Sequence, residues 1–351
     1  MARLRRVDCS APGYTRRRRG RGFEYFSART GEKVTDPETL QRIKDLVIPP
    51  AWEAVWICPH PNGHLQAVGT DAAGRRQYLY HPQWRTRRDA EKFDRMVDFA
   101  GALPAARRTC AEHLGTSDEL TRTRVLACAL RLLDHGFFRI GTEAYAEEND
   151  TFGLATMRKE HVRLLDQAVE FDYPAKGGKR RVQSIVGPEV FAVVSRLKRR
   201  RSGGQELLAY KDAGRWRDVS SADINEFVKD VVGEAFSAKD FRTWNATVLA
   251  AVGLAVSGHA ATSQSARKRA MSRTVQEVAH YLGNTATVAR NSYIDPRVFD
   301  RYESGWTIAG ALQSLGDAEF GHPAIQGTVE QAVLDLLEER RGSEALERVA
   351  S

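Results

Sequence analysis

Four short blocks of this 351-residue sequence hold residues able to do chemistry on a phosphate ester. They are Arg139-Ile140-Gly141 with Tyr145, Glu148-Asn149, Thr151 and Gly153-Leu154; Tyr173-Pro174-Ala175-Lys176-Gly177; Lys239-Asp240-Phe241-Arg242-Thr243; and Leu282-Gly283-Asn284 with Arg290-Asn291-Ser292-Tyr293. Phosphodiester transfer needs a nucleophile, a proton donor for the leaving oxygen, and cations or hydrogen-bond donors around the nonbridging oxygens. Tyrosine, lysine, arginine and an amide supply those groups without a metal. Taken singly, each has a duller reading. A tyrosine in a helical region is usually a packing residue, Arg139 is an arginine after a helix cap, and Arg242 has Asp240 nearby as an ion-pair partner. His259 and His280 read as structural or groove-lining rather than catalytic.

The elements that must position these blocks follow from periodicity and punctuation. Asp36 or Thr35 caps a helix that starts at Pro37 and stops before Pro49-Pro50. Trp52–Cys58, His64–Gly69 and Arg76–Tyr80 read as strands, with Thr70–Arg75 as a hairpin loop. From Asp89 the spacing turns helical: Phe93, Met96, Val97 and Ala100 share a face, and Leu120–Leu133 forms a second helix ending at Gly136. His161–Leu165, Ala168–Tyr173 and Val182–Ile185 read as short strands, with Lys176 and Lys179 at the tip between the last two. Helices follow over Pro188–Arg199, Ser221–Val232, Thr243–Val256 and Arg273–Leu282, interrupted by the basic runs 198–201 and 267–269. Val329, Val333, Leu336 and Leu337 mark an acidic amphipathic helix near the end. The fold class is therefore α+β: a basic flexible arm over 1–22, a small β-rich domain over 23–85, and a larger, mainly helical domain over 86–351.

Composition narrows the partner. Lysine plus arginine number 53 against 45 acidic residues, a net charge of +8, which favours a polyanion. No uncharged apolar run reaches the roughly 20 residues needed to cross a bilayer, and the start of the chain has no apolar leader, so the expectation is a cytoplasmic protein, nucleoid-associated if bacterial. The four cysteines lack CxxC spacing, and Cys58 with His60 and His64 makes an unconvincing ligand set, so neither metal nor other cofactor is expected.

The four blocks resemble those of the poxviral and bacterial type IB DNA topoisomerases. The resemblance runs from about Arg139 to Tyr293, and the Asp71–Tyr80 hairpin adds a weaker match to that family's first DNA-binding domain. In that motif a histidine or asparagine precedes the nucleophilic tyrosine by nine residues, as Asn284 precedes Tyr293 here (293 − 284 = 9). The sequence departs in having Asn284 where poxviral enzymes have histidine and Gly177 where they have aspartate. An asparagine amide can donate a hydrogen bond but cannot supply a proton.

The resemblance implies a topoisomerase fold that clamps double-stranded DNA. It implies relaxation of positive and negative supercoils through a 3′-phosphotyrosine at Tyr293, with no ATP or metal and with the protein acting as a monomer. Arg139 and Arg242 would grip the phosphorane, Asn284 would donate to it, and Lys176 would protonate the leaving 5′-oxygen, with Lys179 as its rival. Arg75, Arg76, Gln77, Tyr78, Tyr145, Lys179 and Lys239 are the expected DNA contacts. A tyrosine site-specific recombinase shares the same five groups; the Arg-Ile-Gly block and the β-rich N-terminal region favour the topoisomerase.

Overall fold

A computed structural model describes residues 3–115, 118–258, 263–313 and 326–348; His259 lies outside them. The chain divides into two compact units, Met1–Lys92 and Phe93–Ser351.

The first unit is a five-stranded antiparallel sheet in the order β2-β1-β3-β4-β5. Its strands are β1 (Tyr14–Arg19), β2 (Gly22–Ser27), β3 (Glu53–Ile57), β4 (Leu65–Thr70) and β5 (Arg76–Tyr80), and helix α1 (Pro37–Asp45) lies between β2 and β3 in the chain. Asp36 caps α1 by accepting the Thr39 N–H at 2.8 Å, and Pro37 occupies the first turn, where it forfeits no hydrogen bond. Ile43, Val55, Ile57 and Ala67 form the small core, lined by Tyr14, Trp52 and Leu79.

The basic segment expected to be a flexible arm is instead strand β1, paired along its whole length with β2. Its arginines make up for the missing apolar alternation by laying their guanidinium groups on rings. The Arg16 guanidinium lies 4.0 Å from the Phe23 centroid, and Arg17 lies 4.6 Å from that of Phe26. Arg16 also donates to the carbonyls of Ile48, Pro49 and Trp52.

Helix α2 (Pro82–Gly115) carries the boundary between the units, which falls at 92/93 rather than at 85/86. Within the second unit come α3 (Arg122–Gly136), α4 (Glu143–Asn149), the sheet of β6 (Val162–Leu164), β7 (Ala168–Ala175) and β8 (Lys179–Val186), and α5 (Pro188–Arg199). A hairpin absent from the sequence reading follows, β9 (Ala209–Asp212) with β10 (Arg215–Asp218), then α6 (Ser221–Val232), α7 (Ala238–Gly258) and α8 (Gln264–Leu282). The basic run 267–269 lies inside α8 rather than interrupting the helices. The remainder is α9 (Ala286–Ser292), α10 (Pro296–Glu303), β11 (Trp306–Thr307), α11 (Ala309–Gln313), α12 (Thr328–Leu337) and β12 (Glu347–Arg348).

One large core holds this unit together, with α3 and α7 at its centre: Val125–Leu130, Leu132, Leu133, Phe241, Trp244, Ala246 and Ala250 are all buried. Into it is set an ionic knot. Arg107 of α2 grips Asp134 of α3 at 2.8 and 2.9 Å and Glu330 of α12 at 2.5 and 2.9 Å. The Trp244 indole of α7 donates to Glu330 at 2.7 Å, and the Asn245 amide donates to the Asp134 carbonyl at 2.9 Å. Burial by itself would raise the Asp134 pKa, but the hydrogen bonds and charge of Arg107 hold it below the usual carboxylate range. A depressed native pKa gives stabilisation that is complete above the ordinary carboxylate value and is lost as pH falls through the native one. Asp134→Asn, which leaves Arg107 and Arg131 short of a counter-charge, is expected to cost about 3–5 kcal/mol. The readout is a lower urea midpoint with unchanged slope at pH 7, a difference that shrinks in acid.

Candidate active site

Each of the four blocks is held by main-chain contacts that its own residue types permit. The segment after α3 turns sharply, with Phe137 in the left-handed region (φ 51°), one residue beyond the glycine expected to end the helix. It then runs beside residues 153–155: Leu154 N–H donates to the Arg139 carbonyl at 2.8 Å, and Ala155 N–H donates to that of Ile140 at 2.7 Å. This approach demands glycine on both sides. A Cβ on Gly141, already at φ +74°, would lie 2.7 Å from the Gly153 Cα, and one on Gly153 would lie 2.4 Å from the Gly141 nitrogen. The two glycines thus fix the backbone from which Arg139 projects.

Arg242 projects from the second turn of α7. Asp240 does not pair with it but accepts from the Ser237 N–H and hydroxyl at 2.8 and 2.9 Å, anchoring the start of that helix. Helix α8 ends at Gly283 in the left-handed conformation (φ 62°), and the Asn284 N–H closes the turn onto the Ala279 carbonyl at 3.0 Å. Tyr293 caps α9, its N–H donating to the Ala289 carbonyl at 3.0 Å.

The structure brings Arg139, Arg242, Asn284 and Tyr293 together. Arg242, 3% exposed, donates to the carbonyls of Phe137 and, at 2.9 Å, Leu282. Arg139 donates to the same Leu282 carbonyl at 3.2 Å, to that of Gly283 at 3.4 Å, and to the Asn284 Oδ1. A guanidinium only donates, so this contact fixes the amide with its oxygen toward Arg139 and its NH2 group turned away. Asn284 Nδ2 and Arg242 Nε are buried and have no hydrogen-bond partner among the described residues. Among the described residues neither arginine is paired with a carboxylate, so the two cations are held side by side chiefly by carbonyl dipoles.

The Arg242 guanidinium lies 5.2 Å from the Tyr293 ring centroid. Burial and then the neighbouring Arg139 charge push the Arg242 pKa down to about 10. Tyr293 answers in the opposite sense. Burial would raise its phenol, but the charge and hydrogen bond of Arg242, with the charges of Lys239 and Arg139, bring it below its usual value.

Lys176 sits apart from this quartet, at the tip between β7 and β8. Gly177 and Gly178 take positive φ there (81° and 72°), and the lysine ammonium lies 5.6 Å from the Tyr145 ring centroid. Lys176, Lys179 and Asn284 line one cleft of about 480 Å3, with Tyr281 and Arg181. Arg75, Arg76, Gln77 and Tyr78 lie in the first unit, on and beside β5. Asp71 holds Arg75 at 2.8 Å and Gln77 at 2.9 Å, while Tyr78 stacks on Tyr80 (centroids 6.2 Å apart) and receives the Arg76 cation at 5.7 Å from its own centroid. Arg76, Tyr78 and Tyr80 thus share one exposed, cationic and aromatic strand face, while Gln77 lies on the other face with Leu79.

Residues 81–311, well over half of the chain, match the family of the eukaryotic DNA topoisomerase I catalytic core, and residues 22–71 match the bacterial DNA topoisomerase IB N-terminal domain. The chain belongs to the type IB DNA topoisomerases. The topoisomerase is 27% identical to DNA topoisomerase 1B of Acanthamoeba polyphaga mimivirus over 299 residues, covering 83% of this chain and 88% of that protein. It is 21% identical to DNA topoisomerase 1B of vaccinia virus over 271 residues, covering 75% and 81%.

Two further residues of the topoisomerase site went unread in its sequence. Thr247 is buried one turn beyond Arg242. Its hydroxyl lies 3.0 Å from the Thr243 carbonyl and 3.3 Å from that of Tyr293, and it accepts the Asp295 N–H at 3.1 Å, fixing the backbone on both sides of the tyrosine. Its spacing from Thr243 along one helix face was the available signal. Arg181 of β8, which donates to the Tyr281 carbonyl, stood in a general basic run with nothing to single it out.

Proposed function

We propose that this topoisomerase relaxes duplex DNA through a covalent tyrosyl intermediate, and that Tyr293, Arg139, Arg242, Lys176 and Asn284 are the groups that do it. The observation that carries this reading is the buried Arg242 and half-buried Arg139 guanidinium groups, held by carbonyls beside a tyrosine whose phenol they acidify. A phosphodiester supplies the anion this pair lacks.

In the forward step the Tyr293 Oη, having lost its proton to water, attacks phosphorus as the P–O5′ bond breaks. Negative charge on the nonbridging oxygens meets Arg139, Arg242 and the free amide of Asn284, groups already in place and needing little reorganisation. The O5′ leaves with a proton from the Lys176 Nζ. The product is a 3′-phosphotyrosine and a free 5′-hydroxyl strand. The ester energy is kept, so the reverse attack reseals the strand with no ATP, and neither step requires a metal.

While the 5′ end is free, torque rotates it about the intact strand, so supercoils of either sign relax. Tyr145 and Lys239 take phosphate contacts near the cut, and the β4–β5 hairpin with Arg75, Arg76, Gln77 and Tyr78 takes a groove. All five catalytic groups come from one chain, which supports action as a monomer. A recombinase would perform the same transfer, but the sheet of the first unit and the family match favour strand relaxation.

The test is relaxation of supercoiled plasmid in EDTA without ATP, with the protein trapped on cleaved DNA by denaturant. Relaxed circles and protein on the 3′ end support the proposal; protein on the 5′ end, or binding without relaxation, overturns it. Relaxation is expected to weaken at high salt, since contacts to phosphates release counterions.

A further inference from the structure

Among the described residues, the tip of the lysine hairpin is held by its own turn, Gly178 N–H donating to the Ala175 carbonyl at 2.9 Å, and by the Lys176 ammonium 5.6 Å from the Tyr145 ring centroid. The turn at 283–284 is pinned by the Gly283 and Asn284 N–H groups on helix carbonyls and by both catalytic arginines. The tip at 176–178, in contrast, has two positive-φ glycines with open space around them and an exposed lysine. A general acid free to swing would meet the leaving oxygen only part of the time.

Arg181 joins the loose piece to the fixed one. It stands on β8 directly across from Tyr173 of β7, two residues beyond Lys179, which pairs with Ala175 next to Lys176. Its side chain leaves the hairpin and donates to the Tyr281 carbonyl in the last turn of α8, while its Nε donates to Gln183 Oε1 of its own strand at 2.9 Å. It fits closely against the turn: a Cβ on Gly283 would lie 3.0 Å from Arg181 Nη1 and 3.7 Å from Arg139 Nη1. We infer that Arg181 is a positioning residue, a strap that holds the β7–β8 hairpin against the Gly283–Asn284 turn so that the Lys176 ammonium reaches the leaving 5′-oxygen. Arg181 touches no reacting atom in this role. The inference rests on the assignment of Lys176 as the proton donor.

That dependence sets the experiment. Single-turnover cleavage is measured on two duplexes that differ only at the scissile position, one with the ordinary 5′-oxygen and one with 5′-sulfur. A thiolate leaves without being protonated, its conjugate acid having a pKa near that of cysteine, about 8.5. On the oxygen substrate Arg181→Ala is expected to slow cleavage about 10–100-fold, the cost of a misplaced catalytic group. On the sulfur substrate Arg181→Ala and Lys176→Ala should both return to within about twofold of the parent enzyme. Arg181→Gln, which can still donate to Tyr281 but lacks the fork, should fall between on the oxygen substrate and guards against a folding defect in the alanine variant. If Lys176→Ala recovers and Arg181→Ala stays slow on sulfur, Arg181 acts elsewhere and the strap is refuted. If Lys176→Ala itself stays slow, the assignment of Lys176 as proton donor falls first.

Discussion

Tyr293→Phe is expected to form no covalent adduct and to relax no plasmid, while binding duplex DNA as the parent does. The substitution removes one oxygen and leaves the ring where Arg242 and the core hold it, so fold and affinity survive while the attacking atom is gone. No neighbouring group can stand in for it with the same geometry, so the loss is complete rather than partial. The checks are denaturant-trapped adduct on a labelled duplex, plasmid relaxation, and a binding titration. An adduct in this variant would mean that a different residue is the nucleophile.

The second large effect is at Arg242. Arg242→Ala is expected to slow cleavage about 10^3-fold, the upper end of what removing one preorganised donor costs, because a charge is lost as well as a hydrogen bond. Arg242→Lys should recover little: an ammonium cannot reach the Phe137 and Leu282 carbonyls while also presenting a planar fork to phosphate. A pH profile separates this from a general structural defect. The cleavage rate of the parent is expected to rise with pH and to level above the lowered pKa of Tyr293 if the ionised phenol attacks. Without Arg242 the burial of Tyr293 acts unopposed by its largest cationic neighbour, so the plateau moves to higher pH. A rate that drops with the profile unmoved would assign Arg242 to phosphate binding alone.

Much of this site was legible because its residues come in blocks, and each block is built by contacts close in sequence. The Gly141–Gly153 approach, the Ser237–Asp240 cap and the Gly283 turn all close within a dozen or so residues, so each block stays contiguous enough to be marked by its resemblance even though those contacts themselves were not read. The α7 and α8 helices were found short at their N-terminal ends, where charged residues mask the apolar stripe.

What stayed hidden depends on partners distant in the chain. Arg181 finds Tyr281 a hundred residues away. The arginines of β1 find Phe23, Phe26 and the 48–52 carbonyls, so a strand passed for an arm because its burial is carried by guanidinium groups laid on rings rather than by apolar residues of its own. The ionic knot joining α2, α3 and α12 spans more than 220 residues and has no local signature.

Both arginines end on the carbonyl of Leu282, one oxygen of one peptide plane. Cutting and rejoining are the same displacement run in opposite directions, and the harmful failure for a genome is an enzyme that opens strands faster than it can close them. Each arginine also has an anchor of its own, Phe137 for Arg242 and Gly283 with Asn284 for Arg139, so in the proposed site a slip of this one peptide plane would disturb both grips at once without freeing either, and breakage and repair would weaken together.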